Sequence, residues 1–138
     1  MAVVDIGTNS TRLLIASMDG GRVVDELERC SVVTRLGRGV DAGGRLSEEG
    51  IQRVFDTLDD YRARMDRAGV TGGVAVLTSA VRDAANGSEF ADAVGERYGL
   101  EPKVLSGDEE AQLTFLGATS ERSDAEPTVV IDIGGGST

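Results

Sequence analysis

The chain has 138 residues, 40% of them hydrophobic but only 4% aromatic and none Trp, so one domain with a core of Val, Leu, Ile and Ala is expected. A net charge of −10 argues against binding nucleic acid, and any site for a phosphorylated ligand has to be built locally from turns and a few arginines. With no His and one Cys, Cys30, the chain contains neither an internal disulfide nor a Cys/His metal site. Cys30 reads as a small buried apolar residue. No apolar stretch approaches a membrane span and no leader pattern opens the sequence, so a cytoplasmic protein with no membrane partner is expected.

In chain order, residues 2–7 read as a buried strand, 8–10 as a turn and 12–18 as a second strand, together a hairpin. Asp19-Gly20-Gly21 is the next turn, and residues 22–36 have the Val, Leu and Thr content of a longer third strand. Residues 37–45 contain four glycines and form a loop. Ser47 then caps a helix whose first turn holds Glu48 and Glu49, where carboxylates suit the helix dipole. Ile51, Val54, Leu58, Tyr61 and Met65 step by three and four along one face, and Gly69 ends the helix. Residues 73–78 are a fourth strand, and 81–98 are helical with an interruption and recapping at Asn86-Gly87-Ser88. Residues 103–105 are a short fifth strand, 106–117 a third helix, 120–127 a polar linker and 128–133 a further strand. The order β-β-β-α-β-α-β-α predicts an α/β domain with a mixed five-stranded sheet and helices on its faces.

One phrase occurs twice. Asp5-Ile6-Gly7-Thr8-Asn9-Ser10 follows the apolar run Ala2-Val3-Val4, and Asp132-Ile133-Gly134-Gly135-Gly136-Ser137-Thr138 follows Val129-Val130-Ile131. A strand ending in an acidic residue, then a glycine turn with hydroxyl side chains, suits phosphate. Glycine lets backbone N–H groups approach the oxyanion, Ser and Thr add donors, and the Asp can hold a divalent cation. Two such turns facing each other would form a clamp. The recurrence also suggests a division into residues 1–127 and the start of a second, similar domain at 128–138.

Other residues could contribute. Ser106 and Glu109 form a capping box, whereas Glu110, about 100° further round the helix, can face a cleft. Without histidine, a carboxylate is the natural group to orient or deprotonate a water. Arg82 follows the fourth strand, where ligands bind in such sheets, although pairing with Asp83 would explain it as well. Arg12 comes directly after the first turn. Arg35 and Arg38 flank Gly37 and suit either a basic rim or a solvated surface. All but Lys103 of the 14 basic residues are Arg.

These segments together, from Asp5–Ser10 and Arg12-Leu13-Leu14 through Arg35-Leu36-Gly37, Leu46-Ser47, residues 78–86 and residues 106–111 to the second turn, resemble the exopolyphosphatase/guanosine pentaphosphate phosphohydrolase family. The resemblance covers essentially the whole chain and implies an actin-like (ribonuclease H-like) fold, the first lobe of a two-lobe protein. It implies that Glu110 is the base for an attacking water and that Asp132, with Asp5, holds Mg²⁺. Gly7, Thr8, Asn9 and Ser10 would face Gly134, Gly135, Gly136, Ser137 and Thr138 around the terminal phosphates, with Arg12 and Arg82 as further anion ligands. The family carries a Glu just after the second turn, beyond Thr138. The implied activity is release of terminal phosphate from inorganic polyphosphate, with the 138-residue lobe inactive alone and the full-length protein a homodimer. Hydrolysis of guanosine pentaphosphate is the alternative within the family. An actin-like ATPase, or a non-catalytic paralogue binding polyphosphate or an alarmone, is the alternative outside it.

Overall fold

A computed structural model of the chain describes residues 1–120, 122 and 126–138. Five strands form one mixed sheet in the order β3-β2-β1-β4-β5. β1 (Ala2–Ile6) and β2 (Ser10–Asp19) make the expected hairpin, and β3 (Arg22–Val33) continues it as an edge strand. β4 (Gly73–Leu77) lies parallel to β1, and β5 (Leu100–Val104) parallel to β4, each reached through a helical crossover. The alternation in β1 puts Ala2, Val4 and Ile6 on the buried face, where they meet Leu13, Ile15, Ala75 and Leu77.

That face is covered by α2 (Glu48–Arg67) and α4 (Gly87–Tyr98). Ser47 caps α2 by accepting the Gly50 amide at 3.1 Å, and Val54, Leu58, Tyr61 and Met65 form the apolar stripe read from the sequence. Tyr61 is buried and donates its hydroxyl to the Thr11 carbonyl at 2.8 Å, so its polar end is satisfied inside the core. α2 and α4 thus share one face. The opposite face, with Val3, Asp5, Leu14, Val74 and Val76, stays half-buried, and α5 (Gly107–Thr119) buries no side chain.

Several boundaries differ from the sequence reading, each for a local reason. β3 stops at Val33, because the Thr34 and Arg35 amides both turn to the Asn9 carbonyl, at 3.0 and 2.9 Å. The loop at 37–45 contains a short helix, α1 (Val40–Gly43). The helical stretch expected at 81–98 starts earlier, with α3 (Ser79–Arg82), and the interruption expected at Asn86-Gly87-Ser88 falls at 83–86, after which α4 begins at Gly87. β5 begins at Leu100, because left-handed Gly99 ends α4 and feeds the chain straight into the sheet. Pro102 is tolerated there on an edge strand. Residues 128–133 form no strand. Val129, Ile131 and Ile133 are exposed, and this β-branched run has no ladder partner among the described residues. The linker expected at 120–127 lies partly outside the described residues. Cys30 is half-buried against the core, and burial pushes its thiol up.

Asn86 precedes α4 but does not cap it with its side chain. Its carboxamide instead accepts the Leu46 amide at 2.8 Å and donates to the Leu46 carbonyl at 3.1 Å, a two-point bridge from the α3–α4 joint to the start of α2. Leu46 is buried, so removing the bridge strands both backbone groups. Asn86→Ala is expected to cost about 1–3 kcal/mol, read as a lowered urea midpoint with an unchanged slope.

Candidate functional site

The C-terminal ends of the parallel strands β1, β4 and β5 lie at one edge of the sheet, where β2 begins. The segments that follow them are residues 7–10, α3 and the start of α5, and these build the site.

The first turn closes by a hydrogen bond from the Gly7 amide to the Ser10 carbonyl at 3.0 Å. Its inner carbonyls are taken up by the segment that follows β3. Thr8 O accepts the Gly37 amide at 2.9 Å, and Asn9 O accepts the Thr34 and Arg35 amides. The Thr8 and Asn9 amides make no hydrogen bond among the described residues, which leaves them as donors for an anion. The second turn repeats the design. Gly134 donates to the Ser137 carbonyl at 2.9 Å, and the Gly135 and Gly136 amides are likewise unengaged among the described residues.

The two turns touch. A Cβ placed on Gly135 would lie 3.1 Å from Asn9 Cβ, and one on Gly136 would lie 2.9 Å from Thr8 Oγ1 and 3.0 Å from Ser79 Oγ. None of Gly134, Gly135 and Gly136 has a left-handed φ, so these glycines serve close approach rather than an unusual backbone conformation. Ser79 and Thr8 share a hydroxyl hydrogen bond at 2.8 Å. Thr8, Gly37, Asp41, Ser79, Asp83 and Gly136 line a small cleft of about 30 Å³ between the turns and the loop.

Glu109 and Glu110 separate as their spacing suggests. Glu109 completes the capping box, with Ser106 Oγ accepting the Glu109 amide at 3.2 Å and the Glu109 carboxylate accepting the Ser106 amide at 2.8 Å. That bond to the Ser106 backbone holds the Glu109 carboxyl below its ordinary value. Glu110 is half-buried and turned inward, 3.3 Å from Arg82 Nη1 and 3.5 Å from Ser137 Oγ of the second turn. Arg82 is fixed further by donating to the Leu105 carbonyl at 2.8 Å. Arg12 and Asp5 are cross-strand partners with an ion pair at 3.4 Å. Of the residues singled out in the sequence, Thr138 and Asp132 are both exposed.

Burial raises the Asp5 carboxyl above its ordinary 3.8; Arg12 opposes the rise, and the Glu110 and Asp132 charges add to it. Asp5 therefore holds its proton more tightly in the folded chain than in the unfolded one. Its contribution to stability is full below 3.8 and is lost as pH rises through the raised value. Asp5→Asn, which cannot ionise, is expected to melt above the wild-type chain at neutral pH in metal-free buffer. The gap should close on acidification, as thermal melts between about pH 3 and 7 would show.

Asp5, Glu110 and Asp132 offer hard oxygen donors within one another's fields, the chemistry that suits Mg²⁺ when one or two carboxylates are completed by water and phosphate oxygens. Among the described residues, no group of three or more acidic, His or Cys side chains is placed to hold a metal ion. No described helix is long and apolar enough to cross a membrane.

The sequence reading passed over Ser79, which bonds Thr8 and abuts Gly136, and the loop amides of Thr34, Arg35 and Gly37, which hold the first turn from behind. Ser79 opens α3 two residues after β4 ends at Leu77, but its bond to Thr8 has no local signal. The loop carries none either, because its role depends on which carbonyls it meets.

A model of the Ppx/GppA phosphatase family matches residues 14–138. Exopolyphosphatase 2 of Mycobacterium tuberculosis is 42% identical over 100% of this chain and 46% of its own length. Among solved structures, an exopolyphosphatase from Cytophaga hutchinsonii superposes with a TM-score of 0.78 at 32% identity, covering 86% of this chain and 38% of that one. The Aquifex aeolicus Ppx/GppA family member gives 0.75 at 32% identity, over 86% and 38%. The chain thus spans less than half the length of these relatives, and its fold is the actin-like α/β domain they contain.

Proposed function

The chain belongs to the Ppx/GppA phosphatase family, and we propose that it supplies one wall of a site that hydrolyses the terminal phosphoanhydride bond of inorganic polyphosphate. The observation that carries this reading is the pair of identically closed turns in contact, with Glu110 reaching the second turn and Arg82 together. The unengaged amides of Thr8, Asn9, Gly135 and Gly136, with the nearby hydroxyls, hold the terminal phosphoryl group. Arg82 and Arg12, each already paired to a carboxylate, share their remaining N–H donors with its oxygens. Glu110 takes a proton from a water as that water's oxygen bonds to phosphorus. The bridging P–O bond breaks, orthophosphate leaves, and the shortened chain departs with its oxygen charged or protonated from solvent. Catalysis of this kind is positioning and electrostatics rather than covalent chemistry. Asp5 and Asp132 would hold Mg²⁺, which when bound offsets phosphate charge.

The test is a phosphate-release assay on the intact protein with short polyphosphate, long polyphosphate, guanosine pentaphosphate and ATP in Mg²⁺. Polyphosphate is expected to be the best substrate. Guanosine pentaphosphate ahead of it would move the reading within the family, and ATP ahead of both would reject it.

A further inference from the structure

Arg12, Arg29, Arg53, Arg62, Arg64, Arg82 and Arg97 all have a carboxylate within 4.0 Å. Arg22, Arg35, Arg38, Arg45 and Arg67 have no ion pair among the described residues, and three of these lie in one loop, residues 35–45. That loop contains one acidic residue, Asp41, and so carries net positive charge in a chain of net charge −10. It is also the loop that grips the first turn from behind and lines the cleft through Gly37 and Asp41. Surplus cations in an acidic protein are expected to find surface carboxylates, and elsewhere in this chain most do.

The loop is also strained at its first arginine. Arg35 has φ 51, the left-handed value that a long side chain adopts at a cost, and it is the one non-glycine residue with positive φ among those described. Arg53 of α2 holds this geometry by donating to the Thr34 carbonyl at 2.7 Å and the Arg35 carbonyl at 3.3 Å. Glycine would satisfy the same backbone without strain, so a reason for arginine has to come from its side chain.

Resting on the phosphate-clamp reading above, we propose that Arg35, Arg38 and Arg45 form a second anion subsite, which takes the internal phosphates of an extended polyphosphate after its end enters the clamp. Exposed and free of internal carboxylates, these guanidinium groups bind successive phosphate oxygens without first breaking an ion pair. The subsite gives affinity that grows with chain length and adds nothing for a ligand too short to leave the clamp. It also supplies attraction that the chain's overall field opposes.

The experiment uses the intact protein carrying Glu110→Gln, so that the chain is not consumed, titrated calorimetrically in Mg²⁺ with pyrophosphate and with long linear polyphosphate. The expected result is tighter binding of the long chain, and loss of at least about tenfold of that affinity in the triple variant Arg35→Gly, Arg38→Ala, Arg45→Ala. Pyrophosphate affinity should stay within about twofold and the salt dependence of long-chain binding should flatten by about one contact per arginine removed. Arg35→Gly alone should weaken the long chain while its melting temperature holds or rises, which loss of a structural residue would not produce. Arg22→Glu, at the far end of the β2–β3 hairpin, should have no effect on either probe. Unchanged long-chain affinity in the triple variant, equal affinities for the two probes in the parent, or an equal loss in Arg22→Glu would each overturn the subsite. If the parent binds neither probe, the clamp reading itself fails and the subsite with it.

Discussion

Glu110→Gln in the intact protein is expected to lower kcat by about 10²–10⁴-fold, the usual contribution of a general base, with KM for polyphosphate little changed. The amide keeps the shape of the carboxylate, its oxygen can still accept from Arg82 and its NH2 group can donate to the Ser137 hydroxyl, so the helix and the turn stay in place. What it loses is the ability to take a proton. Glu109→Gln is the control, one residue away on the same helix. Glu109 touches only the cap, where a glutamine can still reach back to the Ser106 amide, so its replacement should lower the melting temperature only slightly and leave kcat nearly intact. A swap of the two phenotypes would show that the carboxylate facing the cleft has been misassigned. Loss of KM and kcat together in Glu110→Gln would instead mark Glu110 as a brace for Arg82.

The separation of these two glutamates was legible from spacing, because a capping box commits its third residue and rotates the fourth away. The hairpin, the apolar stripe of α2 and the mixed sheet were legible for the same kind of reason: a local pattern of period two or 3.6 specified them. What failed was local pattern without its partner. Residues 128–133 have the β-branched content of a strand, yet a strand is defined by its neighbour, and none pairs with them among the described residues. Residues 34–36 look like a continuation of β3, but the Thr34 and Arg35 amides find the Asn9 carbonyl, a contact that no local pattern encodes. Asn86 has the composition of a cap and instead bridges to Leu46, forty positions away. Within the candidate site, the glycine turns and Glu110 could be named from the sequence. The role of Ser79 could not, because it exists only once β4 lies beside β1 and delivers its hydroxyl to Thr8.

Gly136→Val is expected to weaken binding of polyphosphate by at least about tenfold while lowering the melting temperature only slightly. The reason is steric and confined to the contact between the turns. Even a single Cβ at this position would sit 2.9 Å from Thr8 Oγ1 and 3.0 Å from Ser79 Oγ, where close packing leaves no slack. Thr8 and Ser79 are bonded to each other, and Ser79 is buried, so neither can rotate aside without giving up that bond. The second turn must then withdraw, carrying the Gly135 and Gly136 amides away from those of Thr8 and Asn9. The core is untouched, because residues 134–138 contribute nothing to it. Calorimetric titration of Gly136→Val and Gly136→Ala, alongside thermal melts, separates the outcomes. Alanine should fall between wild type and valine in affinity, since it adds the first close contact and not the branch beyond it. Full affinity in the valine variant would mean that the two turns need not meet to hold phosphate, and the clamp would have to be rebuilt around the first turn alone.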